Sequence, residues 1–197
     1  MYIAQKWDPL IFAIVFSVLV GTLITFAIVN GIKEANYEED QMKLKRKLED
    51  ILIEWEVGST PTKEICRVKH DGKGLVVGYG HDVTKADKLG FGDKITVMQA
   101  ATYLQMDMNA AIDGMSQILK PHQLYPMEVQ LVISAMCFQL GRNGTMEFKR
   151  MLAAIKDHNY DKAAQEMLDS RWAKQTPRRA KKMASLMRLA VPSSAGG

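Results

Sequence analysis

The chain has 197 residues, 47% of them hydrophobic, with a net charge of +4 and a pI near 9.0. That length carries one domain with a substantial core and an additional segment, and a moderately basic charge does not by itself choose between nucleic acid, anionic lipid and bacterial wall as a partner. Cys66 and Cys137 stand far apart, and His70, His81, His122 and His158 form no clustered ligand spacing, so neither a metal site nor a cofactor is expected.

Residues 10–32 read LIFAIVFSVLVGTLITFAIVNGI and contain no charge. About 20 apolar residues cross a bilayer core. A cleaved signal peptide is the competing reading, but Lys6 is offset by Asp8 and no small-x-small site follows. The sequence therefore predicts a short flank at 1–9 and a retained membrane helix at 10–32. Ala13, Ser17, Gly21 and Thr25 fall four apart on one face, a spacing that lets membrane helices approach closely and makes a homodimer a candidate. The same small residues lower the apolarity of the span and ease its extraction. Lys and Arg are more numerous after the span than before it, which favours an inside location for the domain C-terminal to it.

Residues 33–47 turn charged and helix-favouring, a predicted stalk. Leu44, Leu48, Ile51, Leu52 and Trp55 then recur at three or four residues, an amphipathic stripe that leads into the first helix of a domain at 48–190. That helix runs into Glu56. Next comes a glycine-rich stretch, His70-Asp71-Gly72-Lys73-Gly74 and Leu75-Val76-Val77-Gly78-Tyr79-Gly80-His81, which reads as a tight β-ribbon. A carboxylic acid at a helix end and a carboxylate on a hairpin form a pair able to cut a glycosidic bond.

Thr96-Val97-Met98-Gln99 fits a capping box and opens a long helix over 97–119. Pro126 suits a first turn, and the run from Pro126 to Gly141 is apolar almost all round, predicting a central buried helix that ends at Gly141 and buries Cys137. Shorter helices are predicted over 145–157 and 160–169, and from Pro177 with Thr176 as N-cap. The segment 191–197 reads as a disordered tail. From Arg171 onward there is no acidic residue, while Arg171, Lys174, Arg178, Arg179, Lys181, Lys182 and Arg188 concentrate positive charge. A basic helix suits nucleic acid, membrane or an anionic wall, and equally a solvated face with one or two ion pairs. No nucleic-acid-binding motif accompanies it, and no nucleic-acid partner is expected.

Three motifs in order resemble the phage lysozyme family of the T-even type: Glu56 through Gly78-Tyr79-Gly80-His81 with Thr84-Lys85; Phe138-Gln139-Leu140-Gly141 with Phe148; and Ser170-Arg171-Trp172, Gln175-Thr176-Pro177, Arg179-Ala180-Lys181. The resemblance covers about residues 48–189. It implies an α+β, mostly helical fold with a small β-hairpin lobe, a larger helical lobe and the 97–119 helix between them. It implies hydrolysis of the β-1,4 bond between N-acetylmuramic acid and N-acetylglucosamine in peptidoglycan, with Glu56 as general acid, Asp71 as the second carboxylate and Arg179 as the cation beside Glu56. His81 is assigned to the scaffold, and Tyr79, Phe138 and Gln139 to substrate contact. Trp172 is read as core.

Two departures stand out. The family carries a threonine that helps hold the attacking water five residues before the histidine, where this chain has Val76. Extra residues, including Ser59-Thr60-Pro61-Thr62, separate Glu56 from Asp71. A lytic transglycosylase giving 1,6-anhydro products, or an inactive wall-binding module, therefore stands beside the hydrolase. With the hydrolase, the resemblance places a membrane-tethered enzyme on the periplasmic side of the inner membrane or in a virion membrane, against the inside location that the charge count favours. It would serve host lysis or entry.

Overall fold

The computed structural model describes residues 9–56, 66–72 and 74–190, with side chains for 17–55 of the first segment. The flank at 1–8, the insertion at 59–62 and the tail at 191–197 lie outside the described residues, as do the side chains of Ala13 and Glu56.

Helix α1 runs from Pro9 to Glu56. The chain divides into two compact units, 1–43 and 44–197. In the first, the apolar residues Val18, Leu19, Leu23, Phe26 and Ile32 are all exposed, each by more than half. The helix is long and apolar enough to cross a bilayer. Its hydroxyls bond to their own backbone: Thr22 Oγ1 donates to the Leu19 carbonyl at 2.8 Å and Thr25 Oγ1 to that of Gly21 at 2.9 Å. This removes the unsatisfied donors that an apolar surrounding penalises. Where charge resumes, Glu39 and Lys43 pair one turn apart at 2.7 Å.

The second unit begins with the predicted stripe. Leu44, Leu48 and Leu52 are essentially inaccessible, and Ile51 and Trp55 pack at their edge. Three short antiparallel strands follow, β1 (Lys69–His70), β2 (Leu75–Val77) and β3 (His81–Asp82), in the order β1-β2-β3. The sheet covers a small core of Val68, Val77, Ile95 and Ala100. Residues 93–95 lie along 66–68, through Val68 N–H to Asp93 O at 2.9 Å and Ile95 N–H to Cys66 O at 2.8 Å. Gly78 turns the chain between β2 and β3 with φ +65°, and an added Cβ would lie 3.4 Å from Ala100 Cβ. The residue must be small because this turn rests on the next helix.

That helix, α2 (Val97–Ile118), starts at the predicted capping box: Thr96 Oγ1 accepts from Gln99 N–H at 3.1 Å and Gln99 Oε1 from Thr96 N–H at 2.8 Å. Ala100 belongs to the small core, while Leu104, Met108, Ala111 and Met115 belong to the large one. One helix thus joins both cores, as the two-lobe reading requires.

The large core is built on α3 (Met127–Met146), whose residues Val129 and Leu131 to Cys137 are all buried. The predicted stop at Gly141 is a kink instead. Gly141 adopts φ 69° and ψ 167°, after which the helix resumes to Met146. Thr145 stitches the restart by donating its hydroxyl to the Gly141 carbonyl at 2.9 Å. The helix predicted over 145–157 accordingly begins later, as α4 (Lys149–Lys156), followed by α5 (Tyr160–Leu168). A short α6 (Arg171–Gln175), capped by Ser170, precedes α7 (Pro177–Arg188). Thr176 does not cap α7 through its side chain, because its hydroxyl donates back to the Trp172 carbonyl at 3.0 Å. Cys137 is buried and both cysteines are free thiols. Methionines 108, 115, 136, 151, 167 and 183 fill much of the interior, where their flexible side chains match irregular gaps between helices.

Candidate active site

Glu56 is the last residue of α1, a position fixed by the buried leucine stripe one to three turns earlier. Its neighbour Trp55 receives Arg179 from α7. The guanidinium carbon lies 5.4 Å from the Trp55 ring centre, and Nη2 donates to the Trp55 carbonyl at 3.3 Å. Two residues 124 positions apart are thereby joined. One turn on, Lys182 bonds Glu54. The C-terminal end of α1, with its exposed carbonyls, is a favourable place for these cations.

Asp71 sits where β1 turns into β2. Its backbone N–H donates to the Gly74 carbonyl at 3.2 Å, and its Oδ1 accepts from Gly74 N–H at 3.0 Å. The carboxylate is thus held on the hairpin yet exposed. Val76 lies on β2 opposite Lys69 of β1 and Asp82 of β3. It is 8% exposed and belongs to neither core cluster. Tyr79, at the β2–β3 turn, packs against both clusters and so lies where the sheet meets the helical core.

His81 is locked from three sides. Its ring stacks on Tyr103, 4.1 Å between centroids and 13° from parallel. Nδ1 lies 3.0 Å from Asp107 Oδ2, and Nε2 lies 3.6 Å from Asp87 Oδ2. Asp87 is itself held by Thr84, whose hydroxyl donates at 2.6 Å and whose amide donates at 2.7 Å. These two bonds hold the Asp87 carboxyl below its usual range. Burial pushes the Asp107 carboxyl up, with the His81 contact opposing it. The histidine therefore ties β3 to α2 and to the following loop. Tyr103, Asp107 and Asp87 were not identified from the sequence. The signal was available for two of them: Tyr103 and Asp107 are four apart on one helix and share a face.

On the helical side, Gln139 Oε1 accepts from Trp172 Nε1–H at 3.0 Å. Trp172 is buried and meets Phe148 edge-to-face at 6.1 Å. Phe138 is half-buried against the large core. Beside this group lies a pocket of about 520 Å³, lined by Leu140, Phe148, Arg150, Glu166, Arg171 and Trp172 among others. The Arg150–Glu166 ion pair spans 2.7 Å within it. Among the described residues no cluster of His, Cys, Asp or Glu could hold a metal. The structure therefore joins Arg179 to the residue before Glu56, Gln139 to Trp172, and His81 to α2. The basic C-terminal segment is partly neutralised, by Lys182 with Glu54 and by Arg188 with Asp161 at 3.9 Å.

Residues 63–189, well over half of the chain, match the family model described as Phage lysozyme. The chain is similar to Peptidoglycan hydrolase gp36 of Pseudomonas phage phiKMV, 30% identical over 110 residues that make up 56% of this chain and 12% of the relative. It is also similar to Probable T4-type lysozyme 1 of Dictyostelium discoideum, 36% identical over 58 residues, 29% of this chain and 34% of the relative. The chain thus spans only a minor part of the length of either relative.

Proposed function

The chain belongs to the phage lysozyme family, and on that basis we propose that it is a muramidase that hydrolyses the β-1,4 bond between N-acetylmuramic acid and N-acetylglucosamine in peptidoglycan. The observation that carries this reading is the seating of Arg179 on Trp55, which brings a cation to the helix end that bears Glu56. In the proposed reaction Glu56 gives its proton to the bridging oxygen as the bond to the anomeric carbon breaks. Positive charge develops on the sugar ring, and ionised Asp71 stabilises it. Water attacks the anomeric carbon and loses a proton to Asp71, so the products are a reducing muramic end and a free hydroxyl on the other sugar. Arg179 balances the negative charge left on Glu56 after proton transfer. Inversion of configuration is the proposed outcome, since the water between the two carboxylates then acts directly.

Gln139, Phe138 and Tyr79 are proposed to line the path of the glycan. The exposed apolar stretch of α1 supports a membrane tether, and the muramidase reading itself calls for the catalytic unit on the side where the wall lies. A homodimer is proposed through Ala13, Ser17, Gly21 and Thr25, on the four-residue spacing of these small side chains.

The test is Glu56→Gln in the full-length protein, assayed on purified peptidoglycan with mass spectrometry of the fragments. Wild type should release reducing muramic ends, and the variant should lose at least about 100-fold in rate, the scale of general acid catalysis. Equal clearance by the two proteins removes the enzyme reading. Release of 1,6-anhydro ends by wild type would replace hydrolysis with the transglycosylase reaction, which the buried Val76 favours.

A further inference from the structure

The β2–β3 ladder carries a carboxylate that has no part in the reaction described above. Val76 and Asp82 are direct cross-strand partners. The neighbouring pair is the hydrogen-bonded one, with Val83 N–H donating to the Leu75 carbonyl at 2.8 Å. Antiparallel pairs alternate, so 76 and 82 form a non-hydrogen-bonded pair, whose α-carbons approach to about 4.5 Å and whose side chains stand on the same face. The other face of the sheet is committed to packing: Leu75 and Val77 enter the small core and His81 stacks on Tyr103. On the Val76 face the row across the three strands is Lys69, Val76 and Asp82. Lys69 has only donors and Val76 has neither donor nor acceptor. Asp82 is the one residue of that row whose side chain can accept a hydrogen bond. It is exposed, and its negative charge is felt by Asp107, whose carboxyl it helps to push up.

We infer that Asp82 is a further catalytic residue, the group that holds the attacking water in a site where Val76 cannot. This rests on the muramidase reading above. Val76 is 8% exposed, so the water is placed at the edge of its side chain, where Val76 offers no partner; the acceptors we assign are Asp71, at the hairpin end, and Asp82, across the ladder. One O–H bond of the water points to Asp82, and the other points to Asp71. A lone pair is then directed at the anomeric carbon. As the carbon–oxygen bond forms, the proton on the Asp71 side moves to Asp71, while Asp82 keeps its hydrogen bond and stays ionised. The leaving oxygen takes the Glu56 proton, so charge and atoms balance. Both catalytic carboxyls return to their starting states by exchange with solvent. The apolar Val76 raises the value of that acceptor, because a water over a valine surface has lost other partners.

The experiment compares full-length wild type, Asp82→Ala, Asp82→Ala/Val76→Thr and Glu56→Gln in detergent micelles, by kcat/KM on purified peptidoglycan, with melting temperature as the fold control. Asp82→Ala should lose at least about tenfold with an unchanged melting temperature, because a solvated carboxylate is exchanged and no packing is lost. Adding Val76→Thr should restore most of the loss, by returning an acceptor to the same face. A structural role for Asp82 predicts no such rescue. Activity of Asp82→Ala within about twofold of wild type, with Glu56→Gln inactive, overturns the inference and leaves the muramidase reading standing. A loss that Val76→Thr fails to restore overturns it as well. Full activity of Glu56→Gln removes the muramidase reading itself, and the inference with it. Asp82→Val, which has no acceptor and suits a strand, replaces the alanine variant if that one melts early.

Discussion

Gly141→Ala turns the kink in α3 into a question of sign. In a regular helix interior, replacing glycine by alanine stabilises by about 1 kcal/mol. Gly141 sits inside the range of α3 but at φ 69° and ψ 167°, a region that is open essentially to glycine alone. An alanine held there costs about 1–3 kcal/mol. No heavy atom lies within 4 Å of the Cβ that would be added, so crowding adds nothing and the whole effect is backbone conformation. The expected result is therefore a destabilisation of about 1–3 kcal/mol, opposite in sign to the helix expectation. Urea unfolding in mild detergent, followed by tryptophan fluorescence, to which buried Trp172 contributes, measures it. Activity should fall as well, because the kink follows directly on Phe138-Gln139-Leu140 and sets how Gln139 meets Trp172. Equal or higher stability of the variant would refute the kinked geometry. A Gly144→Ala control differs in cause, since its Cβ would stand 3.0 Å from Leu140 Cβ.

The other predictions use burial and charge. Leu48→Ala should destabilise the second unit by about 3–5 kcal/mol, the range for emptying a fully buried leucine site, because Leu48 is 0% exposed; a loss below about 1 kcal/mol in urea unfolding would contradict the seating of α1 in the core. Iodoacetamide at neutral pH should modify Cys66 and spare Cys137 in the folded protein, since burial both shields the Cys137 thiol and pushes its pKa up; intact-mass analysis should show one adduct when folded and two in denaturant. Asp87 contributes stability that is present above the unfolded pKa of about 3.9 and is lost as pH falls through its depressed folded value. The stability gap between wild type and Asp87→Asn should therefore be largest at neutral pH and shrink in acid. A gap that is the same at pH 7 and about pH 3 would disprove the Thr84–Asp87 linkage.

The features legible in the sequence are those that local physics decides. The Thr96–Gln99 box involves only the residues of one turn, and both of its hydrogen bonds form. The Leu44, Leu48 and Leu52 stripe is a periodicity, and periodicity survives whatever the partner surface is. Gly141 was legible as a discontinuity, but not its kind. Stopping or kinking depends on whether the next turn finds a stitch, here the Thr145 hydroxyl. Thr176 looked like a cap because threonine before proline fits one. Its hydroxyl instead closed the preceding turn, since a five-residue α6 that pattern reading cannot see lies just before it. The partners of His81 were hidden for a different reason. They come from a loop and from a helix 26 residues away, and only the fold decides that pairing. Asp82 was hidden by the same limit, because cross-strand register is set by the turn at 78–80.

The site is held together by long-range pairs, two of which include a residue also assigned to the reaction or to glycan contact. Arg179 with Trp55, Trp172 with Gln139, and His81 with Asp107 each fasten one element to another, and their side chains are half-buried or buried. Asp71 and Asp82 are exposed. Replacing Asp82 exchanges a solvated group, so the stability cost is small, whereas replacing Asp71 also removes its bond from the Gly74 amide at the hairpin. Replacing Tyr103 or Asp107 removes the stacking and hydrogen bonding of a histidine whose Nε2 already lacks a partner at hydrogen-bond distance. The same geometry separates two classes of variant: one loses rate while keeping its melting temperature, and the other loses melting temperature first and rate as a consequence. Where a residue falls between these classes depends on whether its side chain closes a contact between elements or only faces the space above the sheet.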